Sequence, residues 1–205
     1  MTAKRKTQKD SELYQLKVTL QGIRPPIWRR IQVPGFITLN QLHEILQEAM
    51  GWENYHLHLF EIGRDRYTAP AMDEDWDDVG EEDEDDTQYT LDEVVTRPGQ
   101  RFRYTYDFGD GWDHAIVVEE ILPAEKDVKY PVCLAGKRAC PPEDCGGPWG
   151  YQDLLEALGN PKHERHEELS ELVGGKFDPE DFKLEKVNEH LKSVRPSARR
   201  RKPAH

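Results

Sequence analysis

The sequence predicts a single α+β domain, in which helices pack on one face of a mixed or antiparallel sheet and whose start is somewhat like a β-grasp. Several short segments alternate apolar and polar side chains, as half-buried strands do. Other segments place apolar residues three and four positions apart, as amphipathic helices do. With 205 residues and 36% hydrophobic content, the chain is long enough for one domain with its own core.

Two strands and a helix begin the predicted domain. Apolar and polar side chains alternate in residues 14–34, both before and after a proline-containing break at residues 24–26. This pattern indicates a hairpin or a broken strand pair. In the helix that follows, Thr38 is placed to cap the N-terminus with Gln41 reaching back, and Gly51 ends the helix.

Another strand is predicted over residues 55–63. Its alternation places Leu57 and Leu59 on one face, which we expect to fill the core. His56 and His58 share the opposite face, where they would meet solvent or a polar seam.

The strongest strand pair covers residues 101–108 and 112–122, joined by the Gly-Asp-Gly turn at residues 109–111. An Asp-Gly dipeptide is among the best short hairpin signals because glycine accepts the positive φ that a tight turn demands. Just before this hairpin, Thr90 and Glu93 have the spacing of a capping box and predict a short helix.

Three further helices are predicted over residues 150–158, 163–174 and 178–194. In the last of them, Asp178 is expected to be the cap and Pro179 the first helical residue. We expect these helices to pack on one face of the sheet.

Charge is distributed in blocks along the chain. The net charge is -12, but residues 73–86 contain eleven acidic residues and no basic one, and without them the balance would be -1. Such blocks repel themselves and usually stay solvated. We therefore expect a folded domain at residues 13–194, an acidic flexible loop at 73–87, and disordered basic tails at 1–12 and 195–205. The alternative for the basic ends is contact with nucleic-acid phosphates.

The sequence offers no membrane or export signal. No apolar run approaches the roughly 20 residues that cross a bilayer, and the first residues lack the apolar region of a secretory signal. We therefore expect a cytoplasmic protein without membrane association. The three cysteines are too few, and odd in number, for the disulfide framework of a secreted protein.

His114 and the cysteines are candidate zinc ligands. Cys133, Cys140 and Cys145 lie within thirteen positions, and with His114 they would fill the tetrahedral shell of a structural Cys3His site. Zinc is the one cofactor that the sequence suggests. The alternative is that Cys133 is a small core residue and that residues 141–147 shape a rigid turn, because the cysteine spacing is looser than that of a zinc knuckle.

A candidate binding surface is predicted where the hairpin turn at residues 107–114 meets the loop at residues 140–151. Large aromatic side chains in loops serve recognition more often than those in strands. The residues expected to form this surface are Asp107, Asp110, Trp112, His114, Glu143, Asp144, Trp149 and Tyr151.

A metal-assisted hydrolase is an alternative use of the same region. His56 and His58 have a spacing used by catalytic metals, and His114 is a further candidate ligand. Asp107, Asp110, Glu143 or Asp144 could supply a carboxylate. In such a site the ion makes water nucleophilic near neutral pH. The competing interpretation is that His56 and His58 face solvent or a partly polar seam and bind no metal, while Leu57 and Leu59 fill the core.

Residues 14–34, 42–63, 104–122 and 140–158 together resemble the plasmid pRiA4b Orf3-like family. The resemblance runs from about Tyr14 to His190. It implies a single α+β domain of bacteria and archaea, encoded on plasmids or carried by transposable elements. It brings no established activity, substrate or catalytic residue.

Three functions follow as hypotheses. The first is a non-enzymatic binding or interaction domain, linked to plasmids or transposable elements, whose partner is an unknown protein or nucleic acid. The second is a metal-dependent hydrolase or nuclease, and the third is a DNA-associated protein that binds through its basic tails.

Overall fold

In the computed structural model, which describes residues 12–70 and 83–197, eight strands form one open sheet. The strands are β1 (Glu12–Leu20), β2 (Trp28–Pro34), β3 (His58–Ile62), β4 (Asp65–Thr68), β5 (Glu84–Asp85), β6 (Arg101–Tyr106), β7 (Trp112–Pro123) and β8 (Val132–Lys137). Their order is β5-β4-β3-β6-β7-β1-β2-β8, and all pairs are antiparallel except β4 with β5. The mixed sheet confirms the predicted α+β class.

Five helices complete this part of the chain: α1 (Leu39–Met50), α2 (Leu91–Val94), α3 (Gly147–Gly159), α4 (His166–Leu172) and α5 (Leu184–Leu191). The predicted ends of α1 are confirmed. Thr38 and Gln41 form a capping box, and Gly51 adopts the left-handed conformation with φ 88°. No helix among the described residues is long and apolar enough to cross a membrane.

The core lies on one face of the sheet. Leu16 and Val18 of β1 and Ile116 and Val118 of β7 are fully buried, and Leu42 of α1 belongs to the same cluster. Each such side chain contributes about 1.5–3 kcal/mol by leaving water. The alternation of buried and half-buried positions along β1 and β7 fixes which side chains reach the core and which reach the other face.

The prediction for the faces of β3 is wrong for His58, although Leu59 is buried as expected. His58, Phe60 and Ile62 point into the core, and His58 Nε2 lies 2.7 Å from Oδ2 of the fully buried Asp86. His58 is therefore a structural core residue and does not share a metal-binding face with His56. The alternation pattern alone assigned His58 to solvent. Its imidazole can be buried because the buried Asp86 carboxylate is its hydrogen-bonding partner.

Two predicted boundaries also change. Residues 83–87, the end of the predicted acidic loop, include β5 and the buried Asp86, whereas residues 73–82 lie outside the described part. The last helix begins at Leu184, because the Asp178 side chain instead accepts a hydrogen bond from Glu180 N in a turn. Of the predicted tails, residues 1–11 and 198–205 are outside the described residues.

Candidate metal centre

The turn between β6 and β7 holds the Asp107 side chain in a fixed direction. Asp107 adopts a left-handed conformation with φ 55°, and its carbonyl accepts a hydrogen bond from Gly111 N at 2.7 Å. Its Oδ1 accepts a hydrogen bond from Gly109 N at 2.9 Å. Asp and Asn tolerate this conformation better than other residues because their side chains bond locally. With one oxygen fixed to the turn, the second, Oδ2, is free to face outward.

The predicted meeting of the hairpin turn with the following loop is present in the structure. Gly146 N donates to Asp110 Oδ2 at 3.1 Å. A Cβ atom on Gly147 would lie 2.2 Å from the Asp110 carbonyl oxygen, so only glycine allows this approach. The contact brings Asp144, which also has a positive φ of 55°, beside the turn.

His56 joins these two segments at one point. Its Nε2 lies 3.0 Å from Asp144 Oδ1, 3.7 Å from Asp107 Oδ2 and 4.0 Å from Glu143 Oε2. His56, Asp107 and Asp144 each offer one donor atom, and the three atoms lie within 4.8 Å of one another. Within residues 12–70 and 83–197, this is the one group of three such donors that could hold a metal ion.

The spacing and the chemistry of the three donors fit a divalent cation. Ligands about 2.1 Å from an ion lie about 3.0–3.4 Å apart at octahedral or tetrahedral angles. The distance of 3.0 Å from His56 Nε2 to Asp144 lies in this range, and the distance of 3.7 Å to Asp107 is slightly longer. His56 Nε2 is itself shielded from solvent and has no regular hydrogen bond to a neighbour. Asp107 is only 7% exposed, which is unusual for a carboxylate without a full ion pair.

Glu143 is held beside the cluster by its own hydrogen bonds. Its Oε1 accepts from Glu53 N at 2.8 Å and from the Tyr106 hydroxyl at 3.1 Å. Burial, and secondly the charge of Glu143, raise the pKa of Tyr106, so its hydroxyl keeps the proton that it donates. The Tyr106 oxygen also accepts from Tyr55 N at 3.0 Å, which ties the segment before β3 to the site.

Comparison with known proteins places the chain in a family. Residues 12–186 match the plasmid pRiA4b ORF-3-like protein family. The chain belongs to that family. It is 44% identical over 165 residues to the uncharacterized protein y4hQ of Sinorhizobium fredii, a match that covers 80% of this chain and 82% of y4hQ.

A solved structure shares the fold. The crystal structure of a protein of unknown function, MM3350 from Methanosarcina mazei Go1, is similar with a TM-score of 0.77 and 40% sequence identity. The match covers 86% of this chain and 98% of that protein. The family and this relative therefore confirm the predicted resemblance and support the described fold.

Three residues predicted for the binding surface of this ORF-3-like protein are instead buried. Trp112 and His114 alternate along β7 on its core side, and Tyr151 lies on the inner side of α3. Each is at most 1% exposed, so none belongs to an exposed binding surface. Burial lowers the pKa of His114 to about 4, and its Nδ1 lies 3.2 Å from the Tyr104 carbonyl oxygen.

The predicted Cys3His zinc site is not assembled in the structure. Cys133 Sγ lies 3.4 Å from the Ala135 carbonyl oxygen, and Cys140 Sγ lies 3.2 Å from an Arg29 nitrogen. Burial, and then the charge of Asp110, raise the pKa of Cys145 to about 12. The cysteines form no group of three candidate ligands with His114 among the described residues, because β8 and the loop after it direct the thiols to separate neighbours.

Of the remaining predicted residues, Asp144 and Trp149 are exposed, and Trp149, in the first turn of α3, is 85% exposed. Asp110 and Glu143 are half-buried, whereas Asp107 is buried. Phe108 in the hairpin turn, which was not predicted, is also 45% exposed. Asp110 holds the N-terminal end of α3 through Gly146, so its role is to join the two segments. Of the residues predicted for a catalytic metal, His56, Asp107, Glu143 and Asp144 come together, whereas His58 and His114 are buried in the core.

Proposed function

We propose that this protein is a binding domain that recognises its ligand through a divalent cation held by His56, Asp107 and Asp144. The observation that carries this proposal is the approach of His56 Nε2 to both carboxylates, at 3.0 and 3.7 Å, from three separate segments of the chain. The Asp107 and Asp144 oxygens of this group lie within 4.8 Å of each other, and two carboxylates this close repel one another unless a positive charge lies between them.

The donor set favours a transition-metal dication. Imidazole is a common ligand of zinc, iron and nickel, whereas magnesium and calcium prefer oxygen alone. Carboxylates also suit manganese, so Zn²⁺ and Mn²⁺ are the ions that we expect. Zinc, which was expected from the sequence at the cysteines, is therefore proposed instead at His56, Asp107 and Asp144.

A metal-dependent hydrolase is the second candidate, favoured by the number of donors. Three protein ligands leave coordination positions for water and substrate, as in catalytic rather than structural sites. A cation bound there would lower the pKa of its water and polarise a substrate carbonyl. In that case Glu143, whose Oε2 lies 4.0 Å from His56 Nε2, is placed to accept the proton of the attacking water.

Both candidate functions require a cation bound at the cluster, and titration calorimetry on chelator-treated protein tests for it. We expect one Zn²⁺ or Mn²⁺ per chain, and we expect His56→Gln and Asp144→Asn to lower the affinity at least tenfold. Asp127→Asn is a matched control, because Asp127 is also exposed with a positive φ of 69° but lies outside the cluster. Binding that survives both ligand variants would overturn the proposal.

An activity assay would then distinguish the hydrolase from the binding domain. A hydrolase should cleave ester, amide or phosphodiester substrates and lose this activity when a chelator is added, whereas a binding domain should cleave none of them.

DNA binding through the basic ends remains a prediction. Residues 1–11 and 198–205 are outside the described part of the chain. If these ends contact phosphates, affinity for DNA should fall steeply with salt and disappear when both ends are removed.

A further inference from the structure

A groove adjoins the candidate metal centre and shares two of its acidic residues. It has a volume of about 530 Å³, within the range of sites that take small molecules. Glu143 and Asp144 lie at its metal-binding edge. The rest of its wall is formed mainly by apolar side chains, among them Met50, Trp52, Tyr55, Pro141, Leu172 and Phe177.

Two of the apolar side chains in this groove are unusually exposed. Tyr55 is 71% and Leu172 is 46% exposed, and they belong to the few large hydrophobic residues at the surface of the described chain. Tyr55 is held in place by its backbone N–H, which donates to Tyr106, and by its hydroxyl, which donates to Glu53. Fixed apolar side chains beside a polar centre are typical of ligand pockets.

The charges in the groove exclude a polyanionic ligand. Its described lining contains Glu53, Glu143 and Asp144 but no lysine or arginine. Even with a dication bound, the three carboxylates of Asp107, Glu143 and Asp144 leave the centre without spare positive charge. A nucleic-acid backbone requires several cations along its path, so this groove is unsuited to it.

We infer that the groove binds an acyl compound, whose carbonyl oxygen completes the coordination of the cation while its apolar chain lies against Trp52, Tyr55 and Leu172. The inference rests on the proposed function, since the cation supplies the contact for the oxygen. It specifies the class of ligand, and it favours an acyl compound over a nucleic acid as the molecule that this site binds.

A series of hydroxamates tests this inference, because each binds a metal through the same head and differs only in its chain. Calorimetry on the zinc-loaded protein would compare acetohydroxamate with octanohydroxamate. Each methylene that leaves water strengthens binding about fourfold, so burial of three of them gives a gain of about 60-fold. Leu172→Asp should remove most of this gain and leave acetohydroxamate binding within about twofold of the parent.

Leu134→Asp is the matched control. Leu134 is 39% exposed on β8 and does not line the groove, so the variant should keep the full gain with chain length. If zinc binds but chain length has no effect, or Leu172→Asp keeps the gain, the inference is overturned and the proposed function stands. If zinc itself does not bind at the cluster, both fail. Zinc-dependent binding of a 12-nucleotide oligothymidylate stronger than that of octanohydroxamate would also overturn the inference.

Discussion

Asp107 faces His56 with one carboxylate oxygen, 3.7 Å from the imidazole Nε2, while the other oxygen accepts the backbone N–H of Gly109. The turn therefore sets the direction of the outward oxygen before any ligand arrives. A donor held in this way loses little conformational entropy on binding, which is the advantage of a preorganised site.

Replacement of Asp107 should separate its structural role from its metal-binding role. Asn keeps the acceptor for Gly109 N and tolerates the left-handed backbone, so Asp107→Asn should fold with near-normal stability but bind Zn²⁺ at least tenfold more weakly. Asp107→Ala should in addition lose about 1–2 kcal/mol of stability, because the turn amides lose their acceptor. Urea unfolding and calorimetry measure the two effects. Unchanged zinc affinity in Asp107→Asn would remove Asp107 from the site.

The contact between the two segments predicts a strong effect of a single methyl group. In Gly147→Ala the new Cβ would meet the Asp110 carbonyl oxygen at 2.2 Å, at a φ of +67°. We expect a loss of about 1–3 kcal/mol in stability and weaker zinc binding, because Asp144 would move away from the hairpin turn. Gly159→Ala is the control, since nothing lies within 4 Å of its added Cβ. Equal melting temperatures for the two variants would show that the close approach is absent.

The buried pair of His58 and Asp86 should contribute to stability rather than to function. Both side chains are almost fully buried, with 2.7 Å between Nε2 and Oδ2. Asp86→Ala leaves the imidazole without its partner and should cost about 3–5 kcal/mol in the free energy of unfolding. The double variant His58→Leu and Asp86→Leu should recover part of this loss, because no polar group remains unpaired. A single variant as stable as the parent would contradict the described pairing.

His114 should make the protein less stable in acid. Burial lowers its folded-state pKa to about 4, below the 6.5 expected in the unfolded chain, so the unfolded state takes up the proton first as the pH falls. Its contribution is complete above pH 6.5 and decreases towards pH 4. Between pH 6.5 and 5 this group should cost about 1.5 kcal/mol. Urea unfolding of the parent and of His114→Phe at both pH values measures the difference, and identical pH dependences would refute it.

The elements that the sequence predicted well are those with local signals. The capping box of Thr38 and Gln41 and the Gly-Asp-Gly turn act through neighbouring residues, so they can be identified without knowledge of the fold. The start of α5 was misplaced because Asp178 and Pro179 form a cap-like pattern that a turn also uses. Asp86 gave no signal at all, since only its distant partner His58 distinguishes it from the other acidic residues around it.

The candidate site could be predicted only in part for the same reason. His56, Asp107, Glu143 and Asp144 were identified as donors by residue type, but their convergence depends on how the hairpin turn meets residues 143–147. Cysteines close in sequence suggested a site that the fold does not form, because neighbours in a loop need not point in one direction. The spacing of residues in the sequence also gave no indication that Asp144 adopts a positive φ.

Anomalous diffraction from crystals of the zinc-loaded protein tests the central claim most directly. We expect one strong peak, about 2.0–2.2 Å from His56 Nε2, Asp107 Oδ2 and Asp144 Oδ1. A peak at Cys133, Cys140 or Cys145 would contradict it, as would the absence of any peak at the cluster in crystals of protein that binds zinc in solution.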